Sequence, residues 1–307
     1  MNILVTGATG FIGKHLVREL NRTHSVHILV RPSSKWTDLR VEHCVEFNGD
    51  IEFIAHYLKT NAIEGIIHLA SLYIAEHKPS QIKELLMSNI YLGTALLEAA
   101  KIAGIRWFLN TGTIWQNYNS PDYADEYNPV NLYAATKQAF MTMAKYYTET
   151  SQLRFVTLKL CDTYGPDDTR RKIFSLFKEI AHTGETLDMS AGEQRMDILH
   201  IDDVVNGFIH LVNLLHSRQN KRDEYVLSSG KQVSLRELAG IYSQNNKVCL
   251  NINWSGRSYR QREVMRPYIG NVLEGWRALN IGHLIKRGGN AVAIKKLCAS
   301  SYNREAA

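Results

Sequence analysis

Residues 2–13 read Asn2-Ile3-Leu4-Val5-Thr6-Gly7-Ala8-Thr9-Gly10-Phe11-Ile12-Gly13. The short apolar run suits a buried parallel strand, and it leads directly into three glycines spaced by three. Phe11, Ile12, Leu16, Val17 and Leu20 then recur at helical period. Strand, glycine loop and helix in that order form a dinucleotide-binding turn. Gly7 permits the tight turn, Gly10 lets backbone N–H groups approach a pyrophosphate, and Gly13 lets the helix lie close on the strand. Thr9, Phe11 and Ile12 share that loop and are expected to touch the cofactor.

Residues 25–30 read as a second strand, and the residues just past its end select the cofactor. A dinucleotide without a 2′-phosphate is held by an Asp or Glu about 20 residues past the loop. This chain has Arg31 there, followed by Ser33, Ser34 and Lys35, with no acid before Asp38. A guanidinium beside hydroxyls suits a phosphate, so Arg31 and Ser34 predict NADP(H) over NAD(H). The competing reading of Arg31 is a solvated charge at a strand end.

Further strands are expected at 44–47, 65–69 and 106–110, the last stopping at Thr111-Gly112-Thr113-Ile114-Trp115. Asp50 and Ile51 follow the third strand, where they would meet an adenine. The fourth ends at Leu69 and runs into Ala70 and Ser71, where small residues let the chain pass close to a cofactor that all three are expected to touch, and Asn89 lies inside a long helical period over 79–103. Strands alternating with helices predict an α/β fold, a doubly wound parallel sheet of the Rossmann type. Ligands of such sheets bind beyond the carboxyl ends of the strands, which is where Gly7, Arg31, Ala70 and Thr111 fall.

A strand near 155–160, a turn at Gly165-Pro166 and helices around 173–182 and 204–215 continue the pattern. Asp202 and Asp203 precede the second of these helices, at the end its dipole favours. Ser234-Leu235-Arg236-Glu237 has the form of a capping box. Residues 1–165, with 199–228 returning to them, are expected to form the dinucleotide-binding domain. Residues 166–198 and 229–307 would form a smaller substrate-binding lobe, with a small polar tail at 300–307.

Composition bounds the rest. The chain has 307 residues, 45% of them apolar and 21% charged, the profile of a soluble globular protein. Its formal charge of +6 is concentrated late, at Arg257, Arg260, Arg262, Arg266, Arg277, Lys286, Arg287, Lys295 and Lys296. Without a nucleic-acid-binding motif, such a field fits an anionic small substrate better than nucleic acid. Cys44, Cys161, Cys249 and Cys298 match no metal spacing and read as reduced thiols. Neither they nor His68, His200 and His210 suggest a metal. No apolar run approaches the ~20 residues of a membrane helix, so a cytoplasmic protein is expected.

Tyr133-Ala134-Ala135-Thr136-Lys137 carries the chemistry. Residues four apart share one helix face, which sets a phenol beside an ammonium. A fixed cation stabilises the phenolate and is expected to draw the tyrosine from about 10 toward working pH. On its own the spacing is also that of an ordinary exposed pair.

Taken together, Thr6 to Gly13, His68-Leu69-Ala70-Ser71, Tyr133 with Lys137, Thr163-Tyr164-Gly165-Pro166 and Leu199-His200-Ile201-Asp202-Asp203-Val204 resemble the extended short-chain dehydrogenase/reductase family. That family comprises sugar-nucleotide epimerases, dehydratases and reductases, and the likeness covers nearly the whole chain. The resemblance implies a catalytic trio of a strand-five hydroxyl, the tyrosine and the lysine. Counting back from Ile114-Trp115-Gln116 selects Thr111, with Thr113 as the other candidate. It also implies that Asp162, Arg195, Arg262 and Arg266 meet the substrate, with Glu263 at a ribose or base hydroxyl, and that the protein is a homodimer through helices near 79–103 and 129–150. Tyr73, Trp115 and Tyr118 are candidates for the sugar pocket.

Within the family, Thr111-Gly112-Thr113 with Trp115, the run Pro129 to Gln138 and Arg260-Gln261-Arg262-Glu263 look like the CDP-abequose and CDP-paratose synthase branch. That branch implies NADPH-dependent reduction of a CDP-linked 4-keto-3,6-dideoxy sugar for O-antigen synthesis. Family dehydratases carry an Asp-Glu pair where Gly112 and Thr113 stand. A 4-epimerase with tightly held NAD and a non-catalytic NADP(H) sensor are the alternatives on the same fold.

Overall fold

The computed structural model describes residues 1–118 and 126–279. Lys286, Arg287, Lys295, Lys296, Cys298 and the tail at 300–307 lie outside the described residues.

The chain begins β1 (Asn2–Thr6), α1 (Phe11–Leu20), β2 (Ser25–Val30), β3 (His43–Glu46), α2 (Ile51–Thr60) and β4 (Gly65–His68). One continuous helical rod follows: a 3-10 turn over Pro79–Gln81, α3 (Ile82–Leu86), a π-helical turn over Met87–Tyr91 and α4 (Leu92–Ala103). Next come β5 (Trp107–Thr113), α5 (Leu132–Thr150), β6 (Arg154–Leu160), β7 (Asp162–Tyr164) and α6 (Ile173–Thr183). The described chain closes with β8 (Leu187–Met189), β9 (Arg195–His200), α7 (Ile201–His216), β10 (Glu224–Leu227), β11 (Gln232–Ser234), α8 (Leu235–Asn246) and β12 (Ile252–Trp254).

Seven parallel strands form the main sheet in the order β10-β6-β5-β4-β1-β2-β3. Side chains alternate along each strand, so one strand feeds two cores. Ile3 and Val5 of β1, with Trp107 and Leu109 of β5, pack under α1 and α7. Leu4 and Phe108 face the opposite layer, against α2, α4 and α5. The spacing of Gly13, Leu16, Val17 and Leu20 places them on the single buried face of α1. A third cluster joins Phe177 of α6, Met189, Ile198, and Leu235 and Leu238 of α8 around two small sheets, β11-β9-β7 and β12-β8.

Two features depart from expectation. The strand expected to stop at Asn110 continues through Thr113, and Thr111, Gly112 and Thr113 pair with Leu158, Lys159 and Leu160 of β6. Thr-Gly-Thr reads as turn punctuation, but threonine is a good strand residue, and a glycine fits where neighbours crowd. A Cβ at Gly112 would lie 2.8 Å from Thr157 and 2.9 Å from Lys159. The second departure is late in the chain. Tyr268, Leu273 and Trp276, expected in the smaller lobe, pack into the core beneath the main sheet, and Leu273 N donates to Val226 O of β10.

Close packing makes Gly65 a sharp test of the sheet. A Cβ there would sit 2.0 Å from the Trp107 indole. Gly65→Ala should destabilise the protein by about 1–3 kcal/mol, the usual cost of overpacking, measured as a lower urea midpoint with unchanged secondary structure.

Candidate active site

Gly7 has φ +68°, and a Cβ on it would lie 2.6 Å from the Ala70 amide nitrogen, so the loops after β1 and β4 touch through backbone alone. At Gly13 the added Cβ would come within 2.1 Å of Gly7 O. Helix α1 therefore starts hard against the strand. Its N-cap, Gly10, supplies no side-chain cap, and its first turn holds no acid. Free N–H groups and the positive end of the helix dipole face outward there, an arrangement that fits a dinucleotide pyrophosphate.

This loop forms one wall of a cleft of about 260 Å³ that Thr111, Tyr133, Lys137 and Ser71 also line. Phe11, Ile12 and Leu69 share it. Asn131 starts α5 by accepting a hydrogen bond from Ala134 N at 3.0 Å, so Tyr133 and Lys137 stand one turn apart near the start of that helix. Thr111 and Thr113, two apart on β5, point to the same side. Their hydroxyls differ in what they touch. Thr113 Oγ1 accepts from Trp115 N at 3.3 Å, whereas the buried Thr111 Oγ1 has no partner among the described residues. A buried orphan hydroxyl facing a cleft is the kind of group a ligand satisfies.

Asn89 is buried, and all four hydrogen-bonding positions of its amide are used. Oδ1 accepts from Leu72 N at 2.7 Å and from the Ser71 hydroxyl at 3.3 Å. Nδ2 donates to Leu72 O and to Thr136 Oγ1, both at 3.0 Å. Nothing is left for a cofactor, so this residue braces the site from behind.

The electrostatics differ from the sequence expectation. Burial pushes the Tyr133 phenol up to about 12, opposed by its hydrogen bond with the Ser71 hydroxyl and by the Arg170 guanidinium. Lys137 is not among the groups that pull the phenol down. Itself buried, its ammonium is lowered to about 8 by desolvation. Tyr133 thus holds its proton at neutral pH and is set to donate it.

Past β2, Arg31 is exposed and has no side-chain partner among the described residues, with Ser34 beside it. Asp50 caps α2, its Oδ1 accepting from Phe53 N at 2.9 Å, and Ile51 opens that helix. Thr9, within the glycine loop, and Ala70, against it, are both half-buried.

A second cavity of about 650 Å³ adjoins the cleft through Tyr73, Trp115 and Asp162. Asp162 pairs with Lys172 at 3.3 Å. Arg195, Arg262 and Glu263 line this cavity. Arg195 donates to Gln232 O at 2.5 Å, and Glu263 accepts from Arg260 N at 3.2 Å. Arg262 stacks 4.3 Å over Tyr118, bonds Asn128 Oδ1, and keeps a buried Nε without a partner. Arg266 is exposed and outside the lining. Sequence reasoning missed Arg170 and Lys172, and the ion pair of Arg260 with Glu76 at 2.8 Å. The signal for the first two was the run Arg170-Arg171-Lys172 just past the Gly165-Pro166 turn.

The family model described as the NAD dependent epimerase/dehydratase family matches residues 3–227. CDP-abequose synthase of Salmonella typhimurium is 30% identical over 252 residues, covering 80% of this chain and 81% of that protein. CDP-abequose synthase of Salmonella muenchen is 27% identical over 270 residues, covering 87% and 88%. Among solved structures, MoeE5 in complex with UDP-glucuronic acid and NAD matches with a TM-score of 0.76 at 24% identity, over 98% of this chain and all of that one. This last likeness is one of fold.

The buried lysine gives the site a measurable pH signature. The unfolded chain keeps that proton up to the ordinary value of 10.5, whereas the folded chain releases it at about 8. Between those values the unfolded state binds more protons, so the Lys137 contribution to stability rises with pH. Lys137→Met should be more stable than the parent at pH 7, by up to about 3 kcal/mol, with the gap closing toward pH 10 in paired urea titrations.

Proposed function

The chain belongs to the NAD dependent epimerase/dehydratase family, and from that premise we propose that it is an NADPH-dependent reductase of the C4 ketone of a nucleotide-linked deoxy sugar. CDP-4-keto-3,6-dideoxyglucose is the preferred substrate, giving CDP-abequose or CDP-paratose. The observation that carries this reading is one cleft holding a buried Tyr133 and a Thr111 hydroxyl with no partner among the described residues, beside an uncapped α1 N-terminus.

Each residue has a role that its surroundings support. A bound NADPH is the source of hydride for the C4 carbonyl carbon. Tyr133 gives its proton to the oxygen that becomes the alkoxide. Thr111 hydrogen-bonds the same oxygen, and its lack of a partner among the described residues favours it over Thr113, whose hydroxyl is engaged by Trp115 N. Lys137 holds the nicotinamide ribose. Gly7, Gly10, Phe11 and Ile12 take the pyrophosphate, and Arg31 with Ser34 takes the 2′-phosphate. Arg195, Arg262 and Glu263 take the nucleotide end of the sugar donor, in the lobe assigned to 166–198 and 229 onward.

Reduction is favoured over the other chemistries of the family by three observations. A tyrosine that keeps its proton is ready to act as an acid, the role that ketone reduction requires. Gly112 stands where dehydratases have an acid, and a side chain there would strike Thr157 and Lys159. Arg31, with no acid beside it, suits the phosphorylated dinucleotide rather than the permanently held NAD of a 4-epimerase.

The deciding experiment follows reduced-nicotinamide absorbance when the protein meets CDP-4-keto-3,6-dideoxyglucose, with NADPH and NADH in parallel. NADPH should be oxidised at least ten times faster, and product analysis then gives the configuration at C4. No oxidation with either dinucleotide would overturn this substrate and leave another sugar, the epimerase or the sensor; no oxidation across a screen of other nucleotide-linked keto sugars would overturn the reductase reading. Tyr133→Phe should keep NADPH affinity within about twofold while turnover falls by two to four orders of magnitude. Arg31→Ala should erase the preference for NADPH over NADH.

A further inference from the structure

Arg170 is held more firmly than a surface arginine. Its Nε and one terminal nitrogen, Nη2, grip Asp168 in a fork, each at 2.7 Å. Nη2 also reaches Thr163 O at 3.0 Å and Thr163 Oγ1 at 3.1 Å. The guanidinium plane is then laid over the Phe11 ring, 4.3 Å from its centroid. Phe11 is the first residue of α1, so the cation hangs above the helix terminus that forms the wall of the smaller cleft.

The other terminal nitrogen, Nη1, has no partner among the described residues. A guanidinium carries five N–H donors, and the fork with Thr163 and Asp168 occupies only the Nε and Nη2 edge. Two donors therefore remain on a fixed cation that lines the same cleft as Gly7, Gly10 and Phe11. The neighbouring cation Arg171 lines only the larger cavity, and Lys172 lines both. Consecutive residues of one turn are thus shared between the two cavities, and Arg170 is the one given to the cleft of the glycine loop.

We infer that Arg170 is a binding residue for the dinucleotide diphosphate, a clasp that reaches across from the segment after β7 and closes over the anion bound at the α1 terminus. The inference rests on the proposal that this cleft holds a nicotinamide dinucleotide. Asp168 and Thr163 orient the fork so that its free edge meets phosphate oxygens, and the Phe11 ring sets its height. Charge-assisted bonds from a preorganised fork are among the stronger polar contacts, because little side-chain freedom is lost when they form. The diphosphate is common to NADPH and NADH, so Arg170 contributes affinity without contributing to the choice between them. That choice is left to Arg31.

Fluorescence titration of purified protein with NADPH, NADH and adenosine 2′-monophosphate, in the absence of any sugar, tests the assignment. For Arg170→Met, affinity for NADPH and NADH should fall together by about tenfold to a hundredfold. Adenosine 2′-monophosphate lacks the diphosphate and should bind as to the parent. Arg170→Lys, which keeps the charge and loses the fork, should fall between. Dinucleotide affinities within twofold of the parent would overturn the assignment. So would an equal loss for adenosine 2′-monophosphate, which would mean that the variant had disturbed the whole cleft. Arg31→Ala separates this from the choice of dinucleotide: it should weaken NADPH and adenosine 2′-monophosphate while sparing NADH. If Arg31→Ala changes nothing while Arg170→Met still weakens both dinucleotides, the NADPH preference fails and the clasp stands.

Discussion

Four hydrogen bonds from one buried amide hold the working face of this protein together. Asn89 grips the chain just after β4 through Leu72, reaches Ser71, and ties both to Thr136 on α5. A buried amide left half-satisfied would cost the fold more than an apolar residue in its place, so the network is stable only when every partner is present. Because Thr136 lies between Tyr133 and Lys137, satisfying Asn89 also fixes the helix turn that carries the phenol and the ammonium. Gln116 repeats the device on the other side. It accepts from Thr113 N at 3.0 Å and donates to Gln138 Oε1 at 2.6 Å, locking the end of β5 to the same helix. The separation between Thr111 and Tyr133 is thus set by two amides, neither of which faces the cleft.

Burial on this scale shapes the charges it encloses. Both Lys137 and His68 have their protonated forms disfavoured, His68 down to about 3 by burial and then by Lys137. The Tyr133 phenol, in the smaller cleft, is driven the other way. A dry interior raises the worth of each well-placed donor, and it makes cations at the rim, such as Arg170 and Arg262, effective only where a fork or a ring fixes them.

Much of this was legible in the sequence. The spans of β1 and β2 followed from apolar runs and glycine punctuation, and the capping box at Ser234 is present, with Ser234 Oγ accepting from Glu237 N at 3.1 Å. The glycine loop and the Tyr133–Lys137 spacing pointed to one edge of the sheet, and the structure brings them to one cleft. What escaped was tertiary. Nothing local to Thr-Gly-Thr announces that β6 continues to pair with it, and nothing in Tyr268 or Trp276 says which core they join. The expected effect of Lys137 on the phenol failed because spacing along a helix gives adjacency but not solvation. Arg170 was hidden for a related reason: a charge in a polar turn reads as solvated until Asp168, Thr163 and Phe11 are seen around it.

The π-helical turn over Met87–Tyr91 has a consequence of its own. A wider turn is one residue added to an otherwise regular rod. The turn itself buries Asn89 behind the site, and downstream α4 turns Ala95, Leu96, Ala99 and Ala100 inward. Both faces point correctly only with the extra residue in place. Removing one residue there would swing everything beyond it by about 100° and slide it about 1.5 Å, carrying side chains now turned to solvent toward the sheet. The chain can therefore drift in composition along this rod far more freely than it can change in length. Across lineages, insertions and deletions have to be absorbed in the loops at either end, and the count of residues between Pro79 and Gly104 becomes as much a part of the site as any side chain in it.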